Sequence, residues 1–130
     1  MIHPSLGEVE KLAERGNLVP VWRELPADLE TPVSVYLRLR GEGPSFLLES
    51  VEKGEQVGRY SFLGCHPGKI LMALEGQVLL EQNGTVRRMD VPCADPLAAA
   101  REVLSRYRPS AGEGLPRFCG GMVGYLGYEV

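Results

Sequence analysis

Three glutamates, Glu49, Glu52 and Glu55, fall within seven consecutive residues. Carboxylates grouped in this way can hold Mg²⁺ or exchange protons. The same spacing also describes a strand end and a polar turn with solvated charges, the usual setting for glutamate. Gly120, Gly121, Gly124 and Gly127 form the second group. They miss the dinucleotide pattern, because Met122 stands where its second glycine is needed, and no Walker lysine follows. Their spacing suits close backbone packing better than phosphate binding. His3 and His66 have no triad companions at useful spacing, and no nucleophile elbow is present. Cys65, Cys93 and Cys119 are an odd set without C-x-x-C spacing. They read as reduced packing residues in a cytoplasmic protein. Cys65 and His66 adjoin, but strand neighbours point to opposite faces, so no metal site is expected. Arg87-Arg88 reads as a solvated pair.

The block from Phe46 to Gly64, FLLESVEKGEQVGRYSFLG, holds the most concentrated chemistry. Two apolar strand segments flank a polar turn. Glu49 and Ser50 lie on the first, and Arg59, Tyr60 and Ser61 on the second. A buried charge has to be paired, so the block is a candidate zwitterion pocket. A surface ion pair between Glu49 or Glu52 and Arg59 is the plainer alternative.

The elements that must position this block can be read from periodicity and punctuation. Residues 5–15 carry Leu6, Val9, Leu12 and Ala13 at helical spacing, with Gly16 as the stop. Residues 18–25 read as an edge strand interrupted by Pro20. Thr31-Pro32 opens a second helix with Val33, Tyr36, Leu37 and Arg40 on one face, ended by Gly41 and Gly43. Asp95-Pro96 opens a third, with Leu97, Ala100, Leu104 and Tyr107 on one face, stopping before Pro109. Between them, strands are expected over 45–51, 59–65, 69–74, 77–81 and 85–91. Asn83-Gly84 is a strong hairpin signal and Glu75-Gly76 a weaker one. The glycine-studded apolar run 118–130 reads as a further strand. It stops without a polar tail, which suggests a sheet that continues in residues beyond 130. The fold class is therefore α+β: an antiparallel meander, or half of a sandwich, with flanking helices.

Composition narrows the function. Over 130 residues there are 14 basic and 17 acidic groups and no basic stripe, which argues against nucleic acid or an anionic membrane as partner. Hydrophobic residues make up 44%, a globular proportion, and no apolar run is long enough to span a bilayer. Sixteen glycines and ten prolines, a fifth of the chain, imply many turns and exclude a plain helical bundle.

The block FLLESVEKGEQVGRYSFLG, preceded by PVWRELPADLETPVSVYLRL and followed at the end by RFCGGMVGYLGYEV, resembles the N-terminal region of anthranilate synthase component I. The resemblance runs from about Leu18 onward, so residues 1–130 are expected to form that regulatory region. It implies an intact lyase that converts chorismate and ammonia to anthranilate and pyruvate with Mg²⁺. Ammonia would come from a partner glutamine amidotransferase, and tryptophan would inhibit the enzyme. The chorismate and Mg²⁺ ligands of the family lie downstream, so no catalytic or metal-binding residue is expected in this chain. The LLES segment lines the family's inhibitor site, which carries over to Leu48, Glu49 and Ser50. On a strand Leu48 and Ser50 share a face and Glu49 takes the other. Ser50 is then the side-chain contact, Leu48 an apolar wall, and Glu49 a contact through its backbone or a partner for the ligand ammonium. Arg59 and Tyr60 are added from the neighbouring strand.

Magnitudes require the polar contacts. Burying an indole of about 150–250 Å² yields about 4–6 kcal/mol before association costs. Micromolar affinity needs about 8 kcal/mol net, so the amino-acid head group must be recognised as well. Three other readings compete: the same region of aminodeoxychorismate synthase component I, a free-standing amino-acid-binding module, and a purely structural domain.

Overall fold

The computed structural model describes residues 1–49, 60–116 and 118–127. The chain is α+β, with three α-helices and two antiparallel sheets among these residues. In order the elements are α1 (Leu6–Ala13), α2 (Pro32–Leu39), β1 (Ser45–Leu48), β2 (Phe62–Cys65), β3 (Ile70–Leu74), β4 (Gln77–Gln82), β5 (Thr85–Met89) and α3 (Pro96–Ser105). A short 3₁₀ turn over Pro92–Ala94 precedes α3. The expected single meander is divided: β1 pairs with β2, and β3, β4 and β5 form a separate sheet. The chain packs as two compact units. One comprises Met1–Leu25, Leu71–Leu80 and Val86–Val130; the other comprises Pro26–Ile70 and Glu81–Thr85.

The first unit holds the buried core. Strand β4 alternates, burying Val78 and Leu80, and β5 adds Met89. From α3 come Ala99 and Val103, one turn apart. Leu71, Val91, Ala94 and Tyr107 pack around this cluster. The buried stripe of α3 is therefore Ala99–Val103–Tyr107, rotated from the expected Leu97–Ala100–Leu104–Tyr107. Leu97 and Leu104 remain 57% and 44% exposed. The segment PLAAAREVL is apolar on two stripes, so periodicity alone does not choose between them. Both tight turns form as signalled, with left-handed residues at Glu75-Gly76 and Asn83-Gly84.

Two expected strands are absent among the described residues. Over 18–25 there are only isolated bridges: Leu18 to Pro109, and His3 to Trp22. Pro20 lies between Leu18 and Trp22 and has no N–H to donate, so the two residues pair with different partners and no ladder forms. Residues 118–127 carry no strand, and Tyr125 and Leu126 are exposed.

Helix α1 begins as its sequence dictates. The Glu8 carboxylate accepts the Ser5 hydroxyl at 2.7 Å and the Ser5 N–H at 2.8 Å. These donors, the hydroxyl foremost, hold the Glu8 carboxyl below the ordinary glutamate range. A carboxyl depressed in the folded state favours folding above its unfolded pKa. That contribution is lost as pH falls through the lower, folded value. In a carboxyl NMR titration Glu8 is expected to titrate below the ordinary glutamate range. Its midpoint should rise in Ser5→Ala, and an unmoved midpoint would contradict the assignment.

Candidate functional site

The expected site lies in the second unit, at one end of the β1–β2 ribbon. Helix α2 precedes it and is firmly started. Thr31 Oγ1 accepts the Ser34 N–H at 3.1 Å, and Ser34 Oγ accepts the Thr31 N–H at 2.9 Å. Pro32 fits the first helical position, where no N–H is required. Glu30 accepts from Ser34 Oγ at 2.6 Å and pairs with Arg38 at 2.5 Å. The packed side of α2 carries Val35 and Tyr36, both half-buried, whereas Val33 and Leu37 of the expected face are about half exposed. The cap and the Tyr36 hydrogen bond described below set this rotation.

Strand β1 pairs antiparallel with β2 in the register Ser45↔Cys65, Phe46↔Gly64, Leu47↔Leu63 and Leu48↔Phe62. Residues directly opposite share a face. Phe46, Leu48, Phe62 and Gly64 therefore form one side of the ribbon, and Ser45, Leu47, Leu63 and Cys65 the other. Gly64 has a specific reason to be glycine. A Cβ there would collide with the Phe46 ring, which lies directly over it. On the opposite side, Ser45 Oγ and Tyr36 Oη are 2.9 Å apart in a part-buried hydrogen bond. Sequence reading did not single out this pair. Gly64, an isolated glycine inside a strand pattern, was the one signal that could have marked the close approach.

Leu48 is the last residue of β1, which is described over Ser45–Leu48 against the expected 45–51; it lies on the face of Phe62 and is 48% exposed. Glu49 follows immediately, outside the ladder and exposed. Tyr60 lies two residues before Phe62, with ring centroids 6.1 Å apart and planes tilted by 33°. Leu48, Phe62 and Tyr60 give this end of the ribbon an apolar, aromatic wall, with the Glu49 carboxylate beside it in sequence. Such a combination suits a ligand that has a flat apolar body and a cationic group. Ser50 and Arg59 lie outside the described residues, as do Glu52 and Glu55, and so does the expected pairing of Glu49 or Glu52 with Arg59. Cys65, Cys93 and Cys119 are free thiols. Among the described residues no group of three His, Cys, Asp or Glu side chains could hold a metal ion. Two clefts lie elsewhere, in the first unit: about 280 Å³ bounded by Met1, His3, Trp22 and Glu24, and about 220 Å³ near Lys11 and Arg15.

With that geometry in place, known sequences supply the relationship. The chain is 36% identical over 131 residues to "Anthranilate synthase component 1" of Acetivibrio thermocellus, covering all of this chain and 26% of that protein. It is 44% identical over 124 residues to the Pseudomonas aeruginosa protein of the same name, covering 94% of this chain and 25% of that one. The chain is homologous to an N-terminal region of anthranilate synthase component 1. A third relative of that name, from Aquifex aeolicus, is 41% identical over 127 residues and 97% of this chain. The chain spans about a quarter of the length of these anthranilate synthase relatives. No family model matches it, and no solved structure matches it. No helix among the described residues is long and apolar enough to cross a membrane.

Proposed function

We propose that residues 1–130 form the N-terminal, tryptophan-sensing part of an anthranilate synthase component I. The intact protein is a cytoplasmic lyase that makes anthranilate and pyruvate from chorismate and ammonia. Its Mg²⁺ and chorismate ligands lie outside this chain, and a glutamine amidotransferase subunit supplies the ammonia. The similarity across the whole chain to proteins of that name carries the reading. The aromatic end of the β1–β2 ribbon supports the location of the sensor. Leu48, Phe62 and Tyr60 would receive the indole ring. Glu49 would meet the ammonium, with Ser50 and Arg59 contributing hydroxyl and guanidinium groups for the rest of the head group. The reading gives no catalytic residue to this chain.

The decisive assay uses the full-length protein that contains residues 1–130, supplied with chorismate, ammonium and Mg²⁺. Fluorescent anthranilate should accumulate, and tryptophan should suppress its formation. Accumulation of aminodeoxychorismate in its place would assign the chain to the neighbouring enzyme. Anthranilate formation indifferent to tryptophan would remove the sensing role.

A further inference from the structure

We infer that Tyr36 is a positioning residue for the effector segment, acting through Ser45 at the opposite end of β1. The inference deepens the tryptophan-sensing reading and rests on it. Among the described residues strand β1 has four residues and one ladder partner, β2. A two-stranded ribbon is marginal on its own, so its orientation has to be fixed by what packs on its faces. Both faces are held at the start of the strand. On one, the Tyr36 hydroxyl is 2.9 Å from Ser45 Oγ, and both residues are half-buried. On the other, the Phe46 ring lies over Gly64, with no room for a Cβ.

The two restraints oppose each other across the ribbon, so β1 cannot roll about its axis while both are in place. Roll matters because successive side chains point to opposite faces, and a slip of one residue exchanges them all. The aim of Leu48 and Glu49 is therefore set at Ser45, about 10 Å away at the usual rise per residue. The Tyr36 hydroxyl bonds to the strand three residues short of Leu48, so its influence on the effector segment passes along β1. A sensor that must seat both an indole and an ammonium needs that aim held. A protein that merely had to fold would tolerate its loss.

The test compares Tyr36→Phe, Ser45→Ala, the double variant and Ser45→Thr in the full-length protein containing residues 1–130. Three quantities are read: tryptophan concentration for half-inhibition, kcat/KM for chorismate without tryptophan, and Tm. Each single variant is expected to raise the half-inhibiting concentration roughly three- to tenfold, the size of one neutral hydrogen bond. The double variant should add nothing to either single change, because both remove the same bond. Ser45→Thr should keep wild-type inhibition, and uninhibited kcat/KM should be unchanged in all four. Unaltered inhibition in Tyr36→Phe overturns the inference, as do additive single effects. Parallel loss of activity, Tm and inhibition would leave Tyr36 a merely structural role and overturn it too. The sensing reading is judged separately, on the wild-type protein. If tryptophan does not inhibit the wild type, that reading fails and takes this inference with it.

Discussion

Ser50→Phe in the full-length protein is expected to relieve tryptophan inhibition while anthranilate formation continues. The argument is one of space. Ser50 lies outside the described residues; by sequence alternation alone it is expected on the same face as Leu48. In the proposed site a benzyl group at that position would occupy volume the indole needs and would remove the hydroxyl proposed to meet the ligand's head group. Overfilling a packed site costs about 1–3 kcal/mol, and a lost hydrogen bond adds to that. The half-inhibiting tryptophan concentration should therefore rise by at least about tenfold. Chorismate turnover should be unaffected, because the proposed function places the reacting groups outside this chain. Inhibition curves for wild type and variant measured side by side decide the matter. Coincident curves would remove Ser50 from the site, and joint loss of turnover and inhibition would point to misfolding.

A second large effect is expected at Gly16→Ala, on stability. Gly16 is buried just past the end of α1. A Cβ there would collide with the Arg108 carbonyl oxygen and stand 2.9 Å from Ser110 Cβ. The obstacle is largely backbone, which cannot rotate away as a long side chain would. That backbone is also held. Asn17 N–H donates to the Arg108 carbonyl at 3.0 Å, and Asn17 Nδ2 to the Arg106 carbonyl at 2.8 Å. Arg108 N–H in turn donates to Asn17 Oδ1 at 2.6 Å, and Ser110 N–H to the Leu18 carbonyl at 2.9 Å. Making room would break part of this clasp between the exits of α1 and α3. The expected cost is about 2–4 kcal/mol, or a fall in Tm of roughly 10 °C for a domain of this size. Gly7→Ala is the control. Gly7 lies inside α1 with nothing near its missing Cβ, so alanine there should stabilise by up to about 1 kcal/mol. Calorimetry showing equal, small shifts for the two variants would contradict the close approach.

What the sequence revealed, and what it hid, follows physical lines. Helix starts were legible because they depend on neighbouring residues: Thr31-Pro32 and Asp95-Pro96 cap their helices where they stand. The two hairpin turns were legible for the same reason, since Asn-Gly and Glu-Gly supply positive φ locally. Helix rotation was not. Both α2 and α3 carry more apolar residues than one stripe can use, and tertiary packing covers Val35 and Ala99 rather than Leu37 and Leu97. Strand existence failed wherever it required a partner, as in 18–25 and 118–127. The candidate site was legible in part. Leu48 and Tyr60 fall on one end of the ribbon as alternation requires, with Glu49 beside them. Their supports, Ser45 with Tyr36 and Gly64 under Phe46, depend on pairings between residues 9 and 18 positions apart. Periodicity within one element carries no record of such pairings.

Under the proposed function, tryptophan is sensed at the end of the β1–β2 ribbon. Hydrogen exchange on the full-length protein, with and without tryptophan, tests it directly. Slower exchange on adding tryptophan is expected in peptides covering residues 45–50 and 59–63. Tryptophan-dependent protection confined to other parts of the protein, with these peptides unchanged, would contradict the account.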